Sequence, residues 1–193
     1  ELEITDRTIV VFFGDNGGLE RDAKQTPLRS GKANLYEGGI REPLIVRWPP
    51  VVMPASTCSE PVTSVDFFPT FVEILGLESE AKSPVDGVGL LPLWRQTSTL
   101  SRLAIYWHYP HYHSSSIGPY GAIRAGDYKL IESFEDGTLE LYDLSRDIGE
   151  THDLADARPD VARALRARLA AWRTSLDTPT LLPNPDYVPS PDS

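Results

Sequence analysis

Apolar positions follow two regimes along the chain. TIVVFF at 8–13 is a continuous β-rich run, the pattern of a strand covered on both faces as in a parallel sheet. PLIVRW at 43–48 repeats it and stops at Pro49 and Pro50, which cannot continue a ladder. MPASTCSEP at 53–61 reads as loop. SVDFFPTFVEILGL predicts a helix with Ser64 as N-cap, Phe67, Phe71, Ile74 and Leu75 on one face, and Gly76 as the stop. Pro69 fits only in the first turn or at a kink. DGVGLLPLW at 86–94 reads as a turn and an apolar docking segment.

Near Gln96 the runs shorten. LAIYWHY, YGAIRAG, YKLIES and LELYDL, separated by turn signals such as AGD and EDG, predict a small four-stranded antiparallel sheet. RPDVARALRARLAAWRTSL is the clearest helix, with Pro159 near its start and a 3.6-period stripe of Val161, Leu165, Leu169 and Trp172. The tail PTLLPNPDYVPSPDS predicts an extended surface path. No internal repeat is visible. The expected organisation is α/β: residues 1–95 as part of a parallel-sheet core, and 96–193 as an antiparallel-sheet subdomain with an amphipathic helix and an extended tail.

Composition changes the picture in two places. Hydrophobic residues at 40% support a packed core, and a net charge of -10 argues against nucleic acid or an anionic membrane as partner. Yet residues 21–41 are locally +3, because Arg21, Lys24, Arg29, Lys32 and Arg41 face only Asp22 and Glu37. A small anionic substrate therefore stays open. The single cysteine, Cys58, excludes an internal disulfide. No run reaches the roughly 18 apolar residues of a membrane span. The chain opens at Glu1 without methionine, directly ahead of a strand, and is expected to be a cut or processed piece.

The first run ends in GDNGG. In parallel α/β sheets ligands bind beyond the carboxyl ends of strands, where Asp15 and Asn16 fall. A carboxylate and an amide oxygen are hard ligands suited to Ca²⁺ or Mg²⁺, and Gly17 and Gly18 permit close approach. The same tetrapeptide is also ordinary turn chemistry. Lys32 alone would be a solvated surface lysine.

The order of elements decides between these readings. GDNGG, a short polar stretch, then TPLRSGKANLYEGGIREPLIVRWP closely resembles the second half of the sulfatase signature region, in the alkaline-phosphatase-like superfamily. PVTSVDFFPTFVEILGL is similar to that family's Asp-x-x-Pro-Thr helix, DGVGLLPLW to its Asp-Gly-x-x-Leu-x-Pro segment, and AIRAGDYKLI with ELYDLSRDIGETHDLA to its C-terminal sheet. The resemblance spans residues 8 to 175. It implies that Asp15 and Asn16 bind a divalent cation, usually calcium, and that Lys32 contacts the substrate sulfate. A cation as Lewis acid and a lysine as compact positive charge are what an anionic ester needs. Arg29 and Arg41 are expected to be structural and Glu37 a buried pairing partner.

The resemblance also shows what these 193 residues lack. Family members make a formylglycine nucleophile from Cys-x-Pro-x-Arg, whereas Cys58 stands in CSEPV, with proline one place late and no arginine. It is not a credible nucleophile. Two further metal carboxylates, a lysine and the histidines of the family's N-terminal part are also absent. The expectation is the C-terminal part of a sulfatase acting on a sulfated small molecule or carbohydrate, inactive alone, partnered by its N-terminal part, and bacterial, periplasmic or secreted as a whole. The rivals are a phosphodiesterase or phosphonate monoester hydrolase of the same superfamily, and a non-catalytic remnant. Bare strand edges also predict association of the isolated chain.

YWHYPHYHSSS carries His108, His111 and His113. Three readings stand: an aromatic-rich edge at the join of the subdomains, a lining of the substrate pocket, or a transition-metal pair. Similarity to a segment of bacterial carbohydrate sulfatases favours His108 and His111 near the pocket. His152 is expected in a surface turn. The arginines of the last helix are read as a solvated face.

Overall fold

The computed structural model describes residues 2–77, 85–116, 118–178, 181, 182 and 184–186. The first apolar run forms β1 (Val10–Phe13) and the second β2 (Leu44–Arg47). They pair with each other antiparallel, Val10 opposite Arg47 and Phe13 opposite Leu44, so the ladder within this chain is not parallel. The chain leaves β1, loops through residues 14–43 and returns alongside in the opposite direction. Nor are both faces covered. Phe12 and Ile45, opposite one another, are each 61% exposed. The other face packs through Val46, with Ile9 just before β1, on a cluster of Leu90, Leu91, Leu93 and Trp94 around α3 (Leu91–Trp94). The predicted docking segment is this cluster.

A 3-10 turn over Ser64–Asp66 leads into α2 (Phe67–Leu75). The predicted cap, Ser64, is instead the first residue of that turn. Asp66 does the capping by accepting the Thr63 N–H at 2.8 Å. Pro69 is the third residue of α2, inside the first turn where no helical donor is missing. Gly76 ends the helix at φ 65°, a left-handed stop. Phe67 and Ile74 pack on the α3 cluster, but Leu75 is 67% exposed, so the predicted stripe is only half covered.

The four short runs become β3 (Ile105–Tyr109), β4 (Tyr120–Ala125), β5 (Tyr128–Ser133) and β6 (Leu139–Asp143), one antiparallel sheet in that order. Side chains alternate between its faces. Ile123, Leu130 and Leu141 meet Ala162, Leu165 and Leu169 of α4 (Pro159–Ser175). Each Ile or Leu buried here contributes about 2 kcal/mol. Val161 and Trp172 complete the predicted stripe at the rim of this cluster. On the opposite face Ala122, Ile131 and Tyr142 receive Leu35 and Tyr36, which belong to the loop between β1 and β2. The sheet is thus the floor on which that loop lies. Most of the proline-rich tail falls outside the described residues.

Candidate active site

The predicted chemistry sits on two adjoining stretches of the 14–43 loop. Gly14 extends the ladder by donating to the Pro43 carbonyl at 3.3 Å, and the chain then turns out of the sheet. Asp15 is exposed and Asn16 half-buried at this exit. Gly17 N–H donates to the Gly39 carbonyl, and Lys32 N–H to the Gly18 carbonyl, both at 3.0 Å. A Cβ at Gly17 would lie 1.9 Å from the Gly38 carbonyl oxygen, so only glycine permits this contact. The backbones bearing Asp15–Asn16 and Lys32 are therefore bound together directly, with α1 (Glu37–Ile40) behind them. Lys32 itself is exposed.

The loop is held down at three points by the C-terminal sheet. Arg29 lies over the Tyr36 ring, 3.7 Å from its centre, and donates to the Tyr142 hydroxyl at 2.8 Å and to the Glu150 carbonyl at 3.1 Å. Tyr36 in turn donates to Glu140 at 2.8 Å, and Tyr142 also donates to Glu140. Asn34 donates to the Ser115 carbonyl at 2.8 Å. Glu37, fully buried, accepts from Lys129 at 3.0 Å, and Lys129 pairs with Glu150 at 2.8 Å. Glu150 closes the ring by accepting the Glu37 N–H at 2.7 Å. Burial pushes the Glu150 carboxyl above the usual carboxylate range despite Lys129. Glu37 is thus a buried pairing partner, with Arg41 and Arg124 at 3.5 and 3.7 Å on its other oxygen.

The histidines separate. His108 lies on β3 directly across from Gly121, and a Cβ at Gly121 would meet Phe134 and Leu169. The His108 ring packs on Phe134 with centres 5.3 Å apart. His108 therefore faces α4, while Trp107 and Tyr109 face the site loop. Strand parity puts it on the far side of the sheet from Lys32, not beside it. His111 and His113 lie beyond the end of β3, both exposed, so they do not form a pair on a strand. His111 packs edge-on against Tyr109, with centres 5.3 Å apart. The Asn34–Ser115 bond brings their loop beside the Lys32 segment. His152 is exposed in a turn built on Asp147. Cys58 is exposed on a cavity of about 530 Å³ lined also by Trp94, Trp107 and Glu42.

The donor set suits a hard cation but does not complete a site for one. Asp15 and Asn16 offer oxygen ligands at a strand exit. Glu42, beside Gly14, has its carboxyl pushed up by burial and by the charge of Asp15. Among the described residues no three or more His, Cys, Asp or Glu side chains gather as a metal group.

Sequence reasoning missed Lys129, Glu150 and Asn34, which hold the loop. A lysine beside the apolar pair Leu130–Ile131 was the one available signal, because a charge on a strand covered on both faces must find a buried partner.

The C-terminal domain model of N-sulphoglucosamine sulphohydrolase matches residues 30–175. A sulfatase of Formosa agariphila is 36% identical over 97% of this chain and 37% of its own length. Human arylsulfatase A is 32% identical over 92% of this chain and 40% of its own. The solved structure of Ps i-CgsB with k-i-k-neocarrahexaose superposes with a TM-score of 0.74 at 27% identity, over 87% of this chain and 37% of that one. This chain thus spans about two fifths or less of these relatives. The fold is that of the alkaline-phosphatase-like sulfatases, and the chain belongs to the sulfatase family, corresponding to its C-terminal part.

Proposed function

We propose that this chain supplies one side of the active site of a divalent-cation-dependent sulfuric ester hydrolase, and that an N-terminal part of the same enzyme supplies the nucleophile and the remaining ligands. The observation that carries this is the lacing of the Asp15–Asn16 exit to the Lys32 segment through Gly17–Gly39 and Gly18–Lys32, in a chain of the sulfatase family. Asp15 and Asn16 would hold calcium, with magnesium the alternative, and the cation would act as Lewis acid and template. Lys32 presents its ammonium to a sulfate oxygen, neutralising charge and orienting the group. Because Lys32 is fixed by its own backbone N–H, the ammonium searches only the reach of one side chain.

The substrate class is an aryl or carbohydrate sulfate. An arylsulfatase among the relatives and a neighbour solved with neocarrahexaose support this range. We propose that His111, on the loop tied down beside Lys32, meets the substrate's organic part; His108, packed on Phe134, does not. The whole enzyme is proposed to be bacterial and exported, and this chain alone to be inactive.

The complete polypeptide is expected to hydrolyse an aryl or sugar sulfate in the presence of calcium. Lys32→Ala should lower kcat/KM by about 10²–10³, as loss of one charge-stabilising donor does. Asp15→Ala should raise the calcium concentration needed. Full activity in both variants, or turnover by residues 1–193 alone, contradicts the proposal.

A further inference from the structure

Glu150 holds both ends of the segment that carries Lys32. Its backbone carbonyl accepts from the Arg29 guanidinium at 3.1 Å, and its side-chain oxygen accepts from the Glu37 N–H at 2.7 Å. One residue beyond the Glu37 anchor, the Gly38 N–H donates to the Arg29 carbonyl at 2.9 Å and bridges the segment again. Lys32 lies inside the closed loop so formed. Glu150 comes from the turn after β6 and is 1% exposed. Its own backbone is fixed at φ 53°, a left-handed conformation that residues with side chains adopt rarely and only when surroundings impose it. Its second oxygen is 2.8 Å from Lys129, itself completely buried, which also reaches Glu37 at 3.0 Å. A buried carboxylate that gives its backbone carbonyl and one oxygen to the loop, and its other oxygen to Lys129 of β5, is more than general packing requires.

We infer that Glu150 is a positioning residue: from the C-terminal sheet it fixes the 29–37 segment and thereby the backbone from which Lys32 reaches the anion. This rests on the proposed sulfatase role of Lys32. The route to Lys32 is covalent and hydrogen-bonded throughout, from Glu150 to Arg29 and Glu37, and from there along the segment to the Lys32 N–H that grips Gly18. Glu150 touches neither substrate nor cation.

Glu150→Ala removes the side-chain acceptor but leaves Lys129 paired with Glu37, so the buried charge stays balanced. Glu150→Gln keeps an oxygen for the Glu37 N–H. Amide hydrogen exchange on this chain reads the clamp directly. In Glu150→Ala the Glu37 amide loses its buried acceptor, and the Lys32 and Gly38 amides of the released segment should exchange about tenfold faster with it, while amides of β4, β5 and α4 keep their protection. Glu150→Gln should restore most of the protection. In the complete enzyme, Glu150→Ala should lower kcat/KM by up to about a hundredfold with the cation affinity retained, the effect of misplacing a group by about an ångström. Arg29→Met, at the half-exposed other anchor, should move the same amides and the same rate in the same direction. Wild-type exchange at Lys32 and Gly38 in a folded Glu150→Ala protein, or faster exchange spread evenly over the sheet, overturns the inference. If the unaltered complete enzyme turns over no sulfate ester, the function reading fails, and the exchange data still decide whether Glu150 clamps the loop.

Discussion

Single residues divide into those whose chemistry shows in the string and those whose role exists only in three dimensions. Asp15, Asn16 and Lys32 stand in short glycine-rich motifs, so their backbone constraints are local and readable. The Glu150–Lys129–Glu37 ring joins positions more than a hundred residues apart at its extremes, and nothing local marks it. His108 belongs with these for a related reason: the string shows it between Trp107 and Tyr109, but parity on β3 sends it to the opposite face from both. Tyr36 and Tyr142 give a testable case of such long-range placement. Burial, and then the hydrogen bonds to Glu140, push both phenols well above their ordinary value. A group with a raised folded-state value favours folding while it is protonated. Unfolding returns it to about 10, so stability is lost as pH rises beyond that value towards the folded one. Spectrophotometric titration should therefore show Tyr36 and Tyr142 ionising only together with alkaline unfolding. Ionisation of both in the folded chain near pH 10 contradicts the described contacts.

At the level of elements, the Asp-x-x-Pro-Thr helix illustrates why a family motif need not be catalytic. Asp66 accepts from Thr63, from Val88 and from both arms of Arg102 at 2.7 and 2.8 Å. Thr70 accepts from Leu90 at 2.8 Å. The motif thus ties α2 to the segment leading into α3 and to the strand approach before β3. Helix existence was legible from the apolar spacing, but the cap was not, because Ser64 and Thr63 are equally good on paper and only Asp66's pairing selects between them. Asp66→Ala would strand a nearly buried guanidinium and two amides. It should cost about 3–5 kcal/mol by urea unfolding. A cost below about 1 kcal/mol, the usual worth of an exposed pair, contradicts the described tie.

For the whole molecule, the antiparallel sheet and its helix read cleanly from sequence because their contacts are local hairpins and one periodic stripe. The first half reads less cleanly, since its two apolar runs suggest a parallel sheet covered on both faces, whereas β1 and β2 pair antiparallel and leave one face exposed. Phe12, Ile45, Phe68 and Leu75 are exposed on β1, β2 and α2. Exposed apolar strands seek partners. The isolated chain should associate in a concentration-dependent way, seen by light scattering, and a substitution pair such as Phe12→Lys with Ile45→Lys should reduce it. A monomer with a cooperative thermal transition at high concentration counts against this view.

The shared site is the central claim, and the coding sequence immediately upstream of Glu1 tests it most directly. The prediction is an Asp-Asp strand followed by Cys-x-Pro-x-Arg, which would supply the other ligands and the nucleophile opposite Asp15, Asn16 and Lys32. A stop codon directly upstream, or a threonine in the nucleophile position, would contradict it, leaving respectively a fold without a reaction or a phosphate-directed relative.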